Sequence, residues 1–222
     1  MLFVPILLVL FALIFLGAPI FLAMSAASLI HWIESGRDST LIVLIQRFYG
    51  GMTSFNLLAI PMFLLAGFVM TRGGLTDRLI ALAKTLVGHL KGALGQTNIV
   101  SSVFFGGISG SAYADIAAMG TVFIPAMKKE GYPAGFAGAI TAVSGTLAPM
   151  IPPSIVLIVY GSTFGVSIGA LFAAGLSLAL IIAVCYMAMT YVLARRYDVP
   201  SYPRASLREV AVAFGRASIP LF

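Results

Sequence analysis

Charge is scarce in this sequence. Only 9% of its 222 residues are Asp, Glu, Lys or Arg, while 60% are hydrophobic. Soluble domains carry roughly 25% charged residues, and a water-soluble fold of this size could not hide so much apolar surface. Cysteine is nearly absent. The single Cys185 has no disulfide partner and forms no thiolate metal cluster; inside an apolar run it reads as a small buried residue. No G-x-x-x-x-G-K-[ST] segment is present, so no ATP-driven motor is visible, and there is no H-E-x-x-H. The two histidines, His31 and His89, fall near the ends of apolar runs, and neither lies near a candidate nucleophile. Ser109 sits in no nucleophile elbow. These absences argue against an enzyme, including an intramembrane one, and imply no resident cofactor. The net charge is +6, but the basic residues lie between apolar runs. That is the positive-inside distribution of a membrane protein and not a nucleic-acid surface.

Long apolar runs are abundant: Met1–Ile33, Leu57–Met70, Ile99–Met127, Phe136–Tyr160 and Ile168–Ala194. A span needs about 20 apolar residues to cross about 30 Å of hydrocarbon. The first run has neither a basic start nor a cleavage site and reads as a retained membrane helix. Gly17 and Pro19 kink it or divide it in two, with His31, Trp32 and Glu34 at its interfacial end. Leu41–Tyr49 carries Arg47 and reads as an interfacial turn of helix. Asn56–Met70 is a further span. Thr76–Leu94 places Leu79, Ile80, Leu82, Ala83, Leu86, Val87 and Leu90 at helical spacing among Asp77, Arg78, Lys84 and Lys91. This predicts an amphipathic helix, or pair of helices, along the membrane surface; a cytoplasmic connector is the alternative.

Arg72, Arg78, Lys84 and Lys91 precede Asn98–Met127, and Lys128 and Lys129 follow it. Both clusters belong on the cytoplasmic side, so the chain must leave and return there. About 30 residues suffice for one crossing only, and Gly106-Gly107-Ile108-Ser109-Gly110-Ser111 breaks the helix at its centre. The expectation is a re-entrant helical hairpin with arms of about 10 to 15 residues. Gly131-Tyr132-Pro133 then turns the chain. Ala134–Phe164 crosses once, interrupted at Ser144–Ser154 by Pro149, Pro152, Pro153 and Gly145. Ser167–Ala194 returns to Arg195 and Arg196, with Gly165, Gly169, Ala173 and Gly175 as helix-packing positions. Arg204, Arg208 and Arg216 keep the tail cytoplasmic, and Ile219-Pro220-Leu221-Phe222 could open another apolar segment.

Two constellations stand out. At the hairpin tip, the carbonyls that end the first arm lack helical partners. With Ser109, Gly110 and Ser111 they suit a small hard cation such as sodium. The free N–H groups that open the second arm suit a carboxylate. Asp115 lies in that first turn, where an acid caps a helix and where an acid at membrane depth can also pair or gate. At the second break, Ser144, Gly145 and Thr146 again offer carbonyls, and the N–H groups near Ser154 open the next helix. Discontinuous helices meeting at mid-membrane form the sites of many secondary transporters. Capping serines and a plain proline kink are the structural alternatives.

The sequence resembles the large (M, or DctM-like) membrane subunit of the tripartite ATP-independent periplasmic (TRAP) transporters. The similar stretches are Ser54–Pro61, Gly73-Gly74-Leu75, Gly88–Gly92, Ile108–Ala112, Ile124–Met127, Gly131-Tyr132 and Pro149–Ser154, in the family's order. The resemblance implies an all-α, multi-pass protein of the bacterial inner membrane that imports organic acids, such as C4-dicarboxylates or sialic acid, on a sodium gradient. It implies three partners: a small four-helix membrane (Q) subunit, a periplasmic binding protein, and the second inverted repeat of the large subunit, since these residues match only the first. It further implies an elevator motion. On that pattern residues 1–71 are scaffold helices and 72–97 a surface arm. Residues 98–197 are half of a transport domain, with hairpin 98–127, broken helix 134–164 and return helix 167–194; 198–222 form a cytoplasmic connector. Ser109–Ser111 and Ser144–Thr146 are the sodium candidates, and Ser111, Pro152 and Ser154 the substrate candidates. A non-transporting membrane scaffold or assembly subunit is the rival reading.

Overall fold

A computed structural model describes residues 3–34, 41–53, 55–197 and 199–218. All regular structure among them is helical. The helices fall into two compact units, Met1–Ser54 and Phe55–Phe222.

The first unit holds α1 (Phe3–Phe15), α2 (Ile20–Glu34) and α3 (Leu41–Met52). The expected break is real. Gly17 adopts φ 82°, a left-handed conformation that costs a side-chain-bearing residue about 1–2 kcal/mol, and Pro19 follows. The chain therefore makes two short helices, of about 20 and 22 Å. Between membrane helices close packing replaces the hydrophobic effect, and the buried residues of α2 are small: Ala23 and Ala27, four apart on one face. Its large side chains, including Phe21 and Leu22, are exposed. The side chains of His31, Trp32, Glu34 and Arg47, and the segment 219–222, lie outside the described residues.

The second unit begins with α4 (Phe55–Arg72), which packs on α6 and α9. Helix α5 (Leu75–Val87) buries Leu75, Leu79 and Leu82 against α11 (Leu207–Ser218), so the periodic segment is a single amphipathic helix followed by a turn. Helix α6 (Ala93–Ser109) starts at Gly92 and α7 (Ala112–Lys129) follows Gly110. With 17 and 18 residues, these arms reach about 25–27 Å, longer than the apolar run predicts. The reason is Gln96, Thr97 and Asn98. They interrupt the hydrophobic pattern yet belong to α6, where all three are buried.

Helix α8 (Ala134–Gly145), a 3-10 turn (Ala148–Met150) and α9 (Ile155–Phe164) form the broken span, and α10 (Ile168–Arg196) the return. By length and composition, three stretches among the described residues can cross a membrane: Phe48–Arg72, Ala134–Phe164 and Ile168–Arg196. On α10 the packing stripe differs in part from expectation. Gly175 meets the Met150 carbonyl closely, and Ala179, Ala183, Thr190 and Ala194 are buried. Gly169 and Ala173 are exposed, and Gly165 ends α9. Cys185 is exposed as well. It sits beside the exposed Ile181 and Val184 on α10, so its place in an apolar run did not mean burial within this chain.

After α10 the connector folds back. Val199 is buried with Leu94, Phe123 and Met127, and the Tyr202 amide donates to the Gly88 carbonyl at 3.0 Å. The Tyr202 hydroxyl donates to Glu130 at the end of α7, and the Lys84 ammonium lies 4.1 Å from the Tyr202 ring centre.

Candidate functional site

The two constellations meet. The hairpin tip lies against the break between α8 and α9, and glycines allow the approach. A methyl group on Gly106 would come within 2.8 Å of the Ala148 Cα. One on Gly107 would come within 3.3 Å of the Pro152 carbonyl oxygen, and one on Gly110 within 2.6 Å of that of Pro153. Gly110 also has φ 56°, which turns the chain from α6 into α7. A side chain on Gly145 would collide with Ile116 of α7 and lie 3.3 Å from the Ala112 carbonyl. Backbone therefore meets backbone at the tip, and carbonyls of one broken element abut the turn of the other.

Each helix start is capped. The Ser111 hydroxyl accepts from the Ala114 amide at 3.4 Å, and that of Ser154 from the Leu157 amide at 3.3 Å. Ser154 is fully buried and donates to the Pro149 carbonyl at 2.5 Å, closing the proline-rich loop on itself. Ser109 accepts from the Ser111 amide at 3.4 Å. The capping role is thus present at both breaks. The hydroxyls of Ser144 and Thr146 donate to the carbonyls of Ile140 at 2.5 Å and Val143 at 2.7 Å. Each keeps lone pairs for a further acceptor contact; Thr146 also lies 3.3 Å from the Tyr186 hydroxyl. Ser144 and Gly145 are buried, whereas Thr146 is exposed. Pro152 is half-buried, and its carbonyl faces Gly107.

Asp115, in the first turn of α7, makes a bond other than a cap. It is fully buried, and its Oδ2 accepts from the Ser102 hydroxyl at 2.7 Å, which ties the two arms of the hairpin together. One turn earlier on the same face of α6, Asn98 donates to the Thr141 hydroxyl of α8 at 2.8 Å. The Thr141 hydroxyl in turn donates to the Ala137 carbonyl at 2.9 Å. A polar layer therefore runs through α6, α7 and α8. It is not fully satisfied: Asn98 Oδ1, Ser101 Oγ and Asp115 Oδ1 are buried without a hydrogen-bond partner. Sequence reasoning singled out Asp115 but missed Asn98, Ser101, Ser102 and Thr141. Their signal was four polar residues at i, i+3 and i+4 spacing, or on the facing helix, inside otherwise apolar segments.

Fold and site together define an all-α integral membrane protein whose two helix breaks face each other. Comparison with known proteins gives the family. A family model described as "Tripartite ATP-independent periplasmic transporter, DctM component" matches residues 7–222, and the chain belongs to that family. Its members are transporters and not enzymes. The sialic acid TRAP transporter large permease SiaM of Vibrio cholerae is 42% identical over 74% of this chain and 38% of its own length. The C4-dicarboxylate large permease DctM of Pseudomonas aeruginosa is 43% identical over 70% and 36%. The ectoine large permease TeaC of Halomonas elongata is 38% identical over 94% and 49%. The chain thus spans about half, or less, of the length of these relatives.

Proposed function

We propose that this chain is the first half of the large subunit of a bacterial inner-membrane importer of organic acids. The observation that carries this reading is the seating of the hairpin tip on the α8–α9 break. Two helix C-termini and two capped helix N-termini converge there. Carbonyl ends favour a cation and amide ends a carboxylate. The substrates in the names of the three relatives (sialic acid, C4-dicarboxylates and ectoine) all carry a carboxylate.

Sodium is the coupling ion in this proposal. Its ligands come from Ser109, Gly110, Ser111, Ser144, Gly145 and Thr146, whose carbonyl and hydroxyl oxygens are hard donors. Ser111, Pro152 and Ser154 face the substrate carboxylate. Asp115 holds the hairpin arms together through Ser102 and sets the tip's position. Sodium bound at the tip favours the closed site because it binds that state more tightly. Residues 98–197 then move as an elevator against a scaffold formed by 1–71. A second segment supplies the other half of the site, a small four-helix subunit braces the scaffold, and a periplasmic binding protein delivers substrate.

The test is uptake into proteoliposomes holding the intact large permease and its small subunit, with and without an inward sodium gradient and the binding protein. Uptake that needs both is expected. The Ser109→Ala/Ser144→Ala double variant should need several-fold more sodium for half-maximal uptake. Unchanged sodium dependence would remove these residues from the ion site. Absence of uptake from folded protein would favour the scaffold reading.

A further inference from the structure

The polar layer inside the hairpin holds three atoms that have no role at the tip. Asn98 Oδ1, Ser101 Oγ and Asp115 Oδ1 lack a hydrogen-bond partner, and the three residues are fully buried. They are gathered in one place. Ser101 and Ser102 stand three and four residues after Asn98, so all three share one turn of α6. The bond from the Ser102 hydroxyl to Asp115 Oδ2, 2.7 Å long, brings the carboxylate of α7 to that turn.

The hydrogen bonds fix which atoms are left over. Thr141 gives its one hydroxyl proton to the Ala137 carbonyl, so toward Asn98 it can only accept. The amide nitrogen of Asn98 therefore faces Thr141, at 2.8 Å, and the amide oxygen lies on the other side. Ser102 likewise gives its one proton to Asp115 Oδ2, which leaves Oδ1 bare. A carboxylate oxygen, an amide oxygen and a hydroxyl oxygen remain, each with a lone pair free. These are hard donors of the kind that hold alkali and alkaline-earth cations.

Size and charge narrow the occupant. No water-sized space opens onto any of the three atoms, and a buried water needs about one probe sphere of room. A bare sodium ion is smaller than a water molecule. A proton is smaller still, but on Asp115 it would supply one hydrogen bond and leave at least one of the three atoms unpartnered. Calcium takes about 6–8 oxygens and magnesium keeps several waters, which a sealed set with one carboxylate does not offer. A buried carboxylate is costly unless its charge is paired, and one such group balances one positive charge.

We propose that Asp115, Asn98 and Ser101 hold a sodium ion between the two arms of the hairpin, against α8. This ion is additional to the one at the tip, because Ser102 lies about 10 Å from Ser109 along α6. Bound there, it neutralises the buried carboxylate and, through the Asn98–Thr141 bond, joins both arms to the first half of the broken span. The inference rests on the sodium-coupled reading above for the identity of the ion, and on the geometry of this layer for its place.

The experiment is sodium-induced infrared difference spectroscopy on the intact permease in detergent, exchanged between sodium chloride and choline chloride without substrate. Radiolabelled sodium bound at equilibrium is measured in parallel. Wild type should show carboxylate stretching bands that respond to sodium. Asp115→Asn should lose those bands and bind one sodium fewer per permease. Asn98→Ala leaves the Ser102–Asp115 bond intact; it should keep the bands but need about tenfold more sodium to produce them. Ser109→Ala, at the tip, should leave the bands and their sodium dependence unchanged, so failure of the tip assignment is read separately from failure here. Bands that persist in Asp115→Asn would overturn the proposal. So would a protonated-carboxyl band of Asp115 that survives saturating sodium, which would make the occupant a proton. Unchanged sodium dependence in Asn98→Ala would overturn it as well, since the amide oxygen would then not be a ligand.

Discussion

Alanine at Gly110 isolates what the hairpin turn demands. Two costs add at this residue. The left-handed backbone, φ 56°, costs a side chain about 1–2 kcal/mol. The new methyl would also press to 2.6 Å from the Pro153 carbonyl oxygen, and overpacking of that kind costs about 1–3 kcal/mol. Gly110→Ala should therefore destabilise by about 2–5 kcal/mol. Two other glycines separate the terms. Gly131 has φ 87° with open space around it, and Gly67 is helical with the Ile108 carbonyl 2.7 Å from its would-be methyl. Gly131→Ala should cost only the backbone term. Gly67→Ala should cost only the contact term, offset by up to about 1 kcal/mol of helix propensity. Denaturant unfolding of the intact permease in detergent, followed by intrinsic fluorescence, gives the three values. If Gly110→Ala costs no more than Gly131→Ala, the tip does not rest on the α8–α9 break, and the site built from that contact fails with it.

Two further outcomes follow from the polar layer and the connector. Ser102→Ala leaves the buried Asp115 carboxylate with neither oxygen paired and should cost about 1–3 kcal/mol. Asp115→Asn keeps an acceptor for Ser102 and should cost less. In the Ser102→Ala/Asp115→Ala cycle the losses should be non-additive by at least about 0.5 kcal/mol; simple additivity would mean the two arms are not coupled there. At the connector, burial pushes the hydroxyls of Tyr132 and Tyr202 up to about 12 from an ordinary value of about 10. For Tyr202 the hydrogen bond to Glu130 adds to the effect. Folding thus holds the proton on: the stabilising contribution is complete below pH about 10 and is lost as pH rises to about 12. In a tyrosinate absorbance titration, Tyr202→Phe should remove amplitude near the upper value and leave the ordinary range unchanged; loss near 10 instead would place Tyr202 in water.

Much of this architecture was readable because membranes simplify the code. Backbone groups in hydrocarbon must pair within a helix, so each glycine–proline cluster could mean only a break. Gly17–Pro19, Gly110 and Pro149–Pro153 all mark helix ends in the structure. Lengths were harder. The hairpin expected from Asn98 misses the start of α6 at Ala93, because Gln96 and Thr97 interrupt the apolar pattern. Inside the fold Gln96 donates to the Met187 carbonyl at 2.9 Å and Thr97 to that of Ala93 at 2.7 Å. Partner groups on α10 and within α6 absorb their polarity, and no local pattern encodes those partners. Cys185 was misplaced for the converse reason: on a helix apolar on every side, an apolar neighbourhood does not distinguish a buried face from an exposed one.

The same asymmetry bears on the site. Helix α6 turns Asn98, Ser101 and Ser102 inward and all are fully buried, yet three polar atoms of the layer they form with Asp115 have no hydrogen-bond partner. Leaving such groups unpaired costs about 1–3 kcal/mol each. On the opposite side of the tip Tyr113 is 88% exposed immediately beyond the Ser111 cap, and Val156 is 60% exposed at the start of α9. The inner layer leaves an amide oxygen, a carboxylate oxygen and a hydroxyl without partners, and the outer flank presents exposed Tyr113 and Val156 beside two helix N-termini. In the function proposed above, the rest of the large subunit covers the exposed flank. Among relatives about twice as long as this chain, the remaining length is available to supply that cover.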